Sequence, residues 1–241
     1  MFLPLKDENQ MRCLESPRVT WTIIATCVVA YLLFQADLFA KLEPNVSLGF
    51  GLVPSVIFGR DIIDPRILQA PTWATPLTYQ FLHGGLVHLA GNMLFLWVFA
   101  DNVEDEMGHG RFALFYLVSG ALAGLAYALT LPAGQAPLIG ASGSVSAVLG
   151  AYLVLHPNTR VFGLFMNIIP VRIPALWFIL GWFALQLGHA LFDPNRAVAW
   201  IAHVAGVVIG AALVYPFRRR IQEKAAAVRV VPLVRQRTKH G

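Results

Sequence analysis

The sequence predicts an all-α membrane protein of six transmembrane helices, and three observations carry that prediction. Of 241 residues, 57% are apolar and only 13% are charged, against roughly 45–50% and about 25% in soluble domains. The mean hydropathy is +0.62. The apolar residues are gathered in runs close to the ~20 residues that a hydrocarbon core demands. This composition excludes an ordinary soluble enzyme.

Taken in order, the first 17 residues, MFLPLKDENQMRCLESP, are polar and carry Asp7, Glu8 and Glu15. They lack the basic-then-apolar order of a cleavable signal peptide, so the first span is expected to be retained. Apolar segments follow at about 19–40, 79–100, 111–132, 141–156, 173–192 and 197–216. Each is expected to be helical, because a lipid-exposed span must satisfy its own backbone. The fourth and sixth are rich in Gly, Ala and Ser and belong in the bundle centre; the Leu/Phe/Trp-rich fifth faces lipid. Between the first and second spans, Lys41 to Tyr79 is too apolar for a solvated linker, and short helices folded onto the outer leaflet are expected there. No internal repeat or second domain emerges. The organisation is a cytoplasmic N-terminal segment (1–18), a membrane domain (19–216) and a basic cytoplasmic tail (217–241).

Charge fixes orientation. With six spans both termini share a side, and that side holds fourteen Lys and Arg residues against four on the other. The positive-inside rule puts both termini in the cytoplasm. Eight of the 18 basic residues lie beyond residue 217, without interleaved aromatics. That pattern suits a lipid surface and not nucleic acid. Cys13 and Cys27 offer neither a disulfide framework nor a thiolate cluster.

A polar or ionisable residue at membrane depth is expensive and is therefore a functional candidate. His83, His88, Asn92, Ser142, Ser144, Ser146, His189 and His203 qualify. Gly140-Ala141-Ser142-Gly143 opens the fourth span. Its glycines expose the serine hydroxyl and admit a second backbone, and the helix N-terminus offers free N–H groups. The tetrapeptide alone also fits a plain helix cap. The fourth span, however, runs only some 16 residues before His156-Pro157, about 24 Å against a core of ~30 Å. Ser142 is thus expected below the outer surface, in a cavity. In the sixth span His203 precedes Gly206 and Gly210, a small-residue ladder that matches Ser142, Ser146 and Gly150 on the fourth. Both spans run outside to inside, so His203 falls near the depth of Ser142. An imidazole beside a hydroxyl is the minimum set for nucleophilic catalysis. No Asp or Glu lies within a span near His203, so a dyad oriented by packing is expected.

In the second segment His88 and Asn92 are four apart and share a helix face, whereas His83, five before His88, diverges. With no H-E-x-x-H pattern, no metal or other cofactor is expected. His88 and Asn92 can donate hydrogen bonds toward one point, together with the Ser142 backbone N–H, as an oxyanion site. His83 is placed at a loop backbone. His109, His156 and His240 read as solvated or capping, and His189 as a polar anchor at the interface.

These residues carry a resemblance. FLHGGLVHLAGN at 81–92, FADNVEDEMGHGRF at 99–112, GASG at 140–143 and AHVAGVVIG at 202–210, in this order on these segments, resemble the rhomboid intramembrane serine proteases. The resemblance implies a rhomboid-like bundle, with Ser142 as nucleophile, His203 as general base, and His88 and Asn92 as the oxyanion-stabilising pair. It further implies His83 as the residue holding the long first loop, and a structural turn on the cytoplasmic side at Asn102–Gly108. The substrates it implies are single-span transmembrane proteins cut near their outer ends, where small residues let the chain unwind. The expected location is a bacterial cytoplasmic membrane. Two departures stand out. Some rhomboids carry an aromatic residue four positions after the serine, stacked on the imidazole, where this chain has Ser146. The Trp-Arg pair of their first loop is absent, although Trp73 is nearby. A catalytically silent rhomboid-like protein that binds transmembrane clients is the alternative; such a protein normally loses the serine or the histidine, and both are present.

Overall fold

The computed structural model describes residues 2–36, 45–166, 168–192, 199–215 and 217. The chain opens with strand β1 (Phe2–Asp7) and helix α1 (Arg18–Phe34), and continues through the short helices α2 (Asn45–Phe50), α3 (Pro54–Ile57) and α4 (Thr75–Thr78). Then come α5 (Leu86–Met107), α6 (His109–Thr130), α7 (Ser142–Leu155), strands β2 (Arg160–Phe165) and β3 (Ile169–Pro174), and α8 (Ala175–Phe192). A last helix, α9, spans Trp200–Tyr215. Helices α5, α6 and α8 are long and apolar enough to cross a membrane, whereas α1, α7 and α9 are shorter apolar helices.

Each expected apolar segment contains one of these helices, but the second is displaced. It was expected at 79–100; Tyr79–Phe81 forms only a single 3-10 turn, and α5 begins after Gly84-Gly85. The glycine pair interrupts the first turn, and the helix instead continues through the polar run Asp101–Met107. That polar extension survives because the N-terminal arm satisfies it. Glu104 accepts from the backbone N–H groups of Val19 (2.9 Å) and Thr20 (2.8 Å) and from Thr20 Oγ1 (2.7 Å). It thereby caps α1 in trans, where Pro17 supplies no side-chain cap of its own. Asp105 accepts from the backbone N–H groups of Arg12, Cys13 and Leu14. Gly108, at φ +79, then turns the chain into α6, in a region that glycine adopts without cost.

The all-α expectation needs correction. The three strands form an antiparallel sheet in the order β1-β2-β3, with Leu3 opposite Leu164 and Val161 opposite Ile173. The β2–β3 hairpin fills the connection between α7 and α8, and the polar N-terminal segment supplies the third strand. Short helices do form within the loop from 41 to 79, at α2, α3 and α4; residues 41–44 of that loop, together with Asp193, Arg196, His240 and the basic tail, lie outside the described residues.

Helix α7 is the central element: Gly143 through Tyr152 are all buried. Its partner α9 meets it backbone to backbone. A Cβ on Gly206 would strike the Gly143 carbonyl and Ser146 Cβ, one on Gly210 the Ala147 carbonyl, and one on Gly150 the Val207 carbonyl. The two ladders read from the sequence therefore interlock. Helix α8 buries only Ala175, Phe178, Ile179 and Gln186, and turns Trp177, Leu180, Leu185 and Leu191 outward. Its Phe178 stacks on Phe99 of α5, with centroids 5.7 Å apart at 10°.

Candidate active site

The site begins at the N-terminus of α7. Gly140 holds φ +126, and a Cβ there would lie 2.7 Å from Cε1 and 2.8 Å from Nε2 of His88. Only glycine permits both this backbone turn and the approach of that ring. Ala141 supplies no side-chain cap to α7, so the first N–H groups of the helix, Ser142's among them, have no intrahelical acceptor.

Ser142 Oγ lies 2.8 Å from His203 Nε2. The other two serines are occupied elsewhere. Ser144, fully buried, donates to Gln80 Oε1 at 2.9 Å, and Ser146 donates to the Ser142 carbonyl at 2.6 Å. The close α7–α9 approach is what brings hydroxyl and imidazole together. A side chain at Gly206 would move α9 outward and open the pair.

His203 Nδ1 lies 2.9 Å from Gln186 Oε1 on α8. Two rings bound the imidazole: Trp182, with centroids 6.1 Å apart at 31°, and Trp200, at 5.8 Å and 84°. Orientation purely by packing, as expected from the sequence, is therefore corrected by a hydrogen bond. The position of Ser146 is not left to an aromatic; Trp182 and Trp200 stand by the imidazole instead. Sequence reasoning missed Gln186 although its signal was available, a polar side chain inside a Leu/Phe/Trp-rich run. His189, expected as an interfacial anchor, stacks on Trp200 with centroids 4.5 Å apart at 18°.

These groups face a cavity of about 620 Å³ lined by Ser142, His203, His88, Asn92, Gln186 and Trp182, among others. Asn92 is buried, and its Nδ2 has no hydrogen-bond partner among the described residues. It is an unpartnered donor at the wall of that cavity. His88 is exposed to the cavity. His83 is buried, lies edge-on to His88 at 5.3 Å, and has its own backbone N–H held by Gln35 Oε1 at 2.8 Å. Of the other histidines expected to be solvated or capping, His156 is the C-cap of α7, and its ring leans on Tyr152 while Asn9 Nδ2 meets its Nδ1. His109 pairs with Glu104 beneath α5.

Apolar helices packed around a cavity that holds a serine–histidine pair define a class of helical membrane proteins with a hydroxyl and an imidazole in contact inside the bundle. The Rhomboid domain matches residues 70–220, and the chain belongs to the rhomboid family. It is 25% identical over 198 residues to the Rhomboid protease GlpG of Salmonella typhi, and equally to those of Salmonella choleraesuis (strain SC-B67) and Salmonella newport (strain SL254). The match covers 82% of this chain and 62% of each of those relatives.

Proposed function

We propose that this chain is an intramembrane serine endopeptidase that cleaves transmembrane segments of other membrane proteins with the Ser142–His203 dyad. The observation that carries the reading is the 2.8 Å approach of Ser142 Oγ to His203 Nε2 inside a cavity of about 620 Å³. In this reading the six apolar helices all span the bilayer, both termini are cytoplasmic, and the cavity opens outward. Residues 19–216 form the membrane domain, between the N-terminal segment and the basic tail. The membrane is the bacterial cytoplasmic one.

The chemistry follows from the placement. His203 Nε2 takes the hydroxyl proton as Ser142 Oγ attacks the scissile carbonyl carbon. The oxygen that gains charge sits between the Ser142 backbone N–H, Asn92 Nδ2 and His88. Collapse of the intermediate breaks the C–N bond, and His203 returns its proton to the leaving amine. Water, activated by the same imidazole, then hydrolyses the acyl-enzyme. His83, Gly140, Gly143, Gly206 and Gly210 serve this geometry as spacers and supports. The relatives' name as proteases and the retention of both dyad members favour an active enzyme over a silent client-binding protein.

The test is labelling of the purified protein with a fluorescent fluorophosphonate. The label should attach to Ser142 and be lost in Ser142→Ala and His203→Ala, while Ser144→Ala still labels. Labelling that survives Ser142→Ala would refute the assignment.

A further inference from the structure

We propose that Gln186 is the positioning residue of this site, holding the His203 imidazole in the tautomer that leaves Nε2 free to take the Ser142 proton. The inference rests on the dyad reading above and adds a third member that the sequence had seemed to lack.

Among the buried residues of α8, Gln186 is the single polar one, beside Ala175, Phe178 and Ile179. A buried amide is costly unless it is hydrogen-bonded, and its oxygen lies 2.9 Å from His203 Nδ1. A carbonyl oxygen only accepts, so Nδ1 must carry the proton. The lone pair of the neutral ring is then on Nε2, which faces the Ser142 hydroxyl at 2.8 Å. In the other tautomer two lone pairs would meet at the Gln186 oxygen, and Nε2, already protonated, could donate to the Ser142 hydroxyl but not take its proton. Ring contacts from Trp182 and Trp200 restrain the plane of the imidazole, but they do not choose which nitrogen is protonated. The hydrogen bond does.

A neutral amide also suits its surroundings better than a carboxylate. A charge placed between apolar helices needs its own partners, and among the described residues lining the cavity there is no Asp or Glu. The titratable side chain facing His203 from α5 is His88, and His189 lies behind Trp200. Gln186 thus orients the base without adding a charge that would hold it protonated. Throughout the reaction it neither gains nor loses a proton.

The experiment uses the full chain in proteoliposomes with a single-span fluorogenic substrate, and compares the wild type with Gln186→Leu and Gln186→Glu. Loss of one orienting hydrogen bond should lower kcat about tenfold in Gln186→Leu, with KM nearly unchanged. Gln186→Glu restores an acceptor at Nδ1 and should recover much of kcat. Its negative charge should also move the acid limb of the kcat/KM profile to higher pH by about one unit or more. The moved limb reports that the carboxylate faces the imidazole, and the recovery of kcat by an acceptor is what a structural role alone would not give. Full kcat in Gln186→Leu, or an unmoved acid limb in Gln186→Glu, overturns the proposal. Should Gln186→Leu not fold, the Gln186→Glu profile decides. Ser142→Ala and His203→Ala run alongside: cleavage persisting in either means that the dyad reading has failed, which is a different result from failure at Gln186 over an intact dyad.

Discussion

Gly140 is more tightly constrained than its neighbours at the cavity, because its backbone conformation and the His88 ring each exclude a side chain. Gly140→Ala must either displace His88 or shift the start of α7. We expect backbone strain of about 1–3 kcal/mol, visible as a lower unfolding midpoint, and at least a tenfold fall in the rate of fluorophosphonate labelling. Asn92 makes the complementary case. Its Nδ2 is unpartnered among the described residues, so Asn92→Ala removes a donor that the resting protein does not use. Folding should be unaffected, while kcat falls by roughly 10²–10³ with little change in KM; an unchanged kcat would return Asn92 to helix packing. Ser142, His203 and Asn92 were legible in the sequence because polar groups at membrane depth are rare. Gln186 meets the same criterion, but it is an amide, whereas the usual partner of a base histidine is a carboxylate. Trp182 of α8 and Trp200 of α9 were invisible for another reason: nothing in one dimension shows which tryptophans of two different helices meet at one imidazole.

At the scale of elements, helix identity was readable from hydropathy, whereas strand pairing was not. β1, β2 and β3 are six residues each, and their partners are set by tertiary contact instead of by any local pattern. The displacement of α5 has the same origin, since its polar inner turns are satisfied by a segment far away in sequence. The α7–α9 contact tests whether backbone proximity sets the dyad. Gly206→Val should separate the helices and abolish labelling of Ser142, while Gly188→Val on α8, where a Cβ meets nothing, should leave labelling intact. The C-terminal half of α7 carries a second, pH-dependent contact. Asp7 of β1 accepts from Tyr152 Oη (2.5 Å) and Asn102 Nδ2 (2.6 Å), and burial pushes its carboxyl up to about 6. Between pH 3.8 and about 6 the folded chain holds a proton that the unfolded chain has lost. This contribution to stability is therefore full at low pH and disappears as pH rises through that window. His156, against the same Tyr152, is pushed by burial down from 6.5 to about 4. Its contribution has the opposite sign and is lost as pH falls through that range. Asp7→Asn removes the Asp7 contribution, so its unfolding midpoint should fall less than that of the wild type as pH rises from about 4 to about 6. A profile parallel to the wild type over that range would show that Asp7 does not titrate in this window.

The whole molecule places its cavity toward one end of the bundle and its carboxylate-pinned arm and sheet at the other. If the cavity end faces outward, as proposed above, a substrate segment must unwind near its outer end to reach Ser142. Gly or Pro there lowers the cost of leaving the helix by about 1 or 3 kcal/mol relative to Ala. A single-span substrate with one small-residue motif walked through its length should be cut only when the motif lies in the outer third, as read by mass spectrometry of the fragments. Preference for the inner third would invert the topology. The N-terminal arm has a consequence of a different kind, in the order of synthesis. Asp7 meets a tyrosine 145 residues downstream, and β1 pairs with a strand that begins later still, at Arg160. The ribosome must therefore complete α1, α5, α6 and α7 before β1 can meet its partner strand, although α5 already offers the arm Asn102 and Asp105. During that interval β1 waits unpaired, and its sheet pairing forms late although the strand is made before the helices. Nascent chains halted before residue 160 should leave the arm open to added protease, and chains released after β3 should protect it.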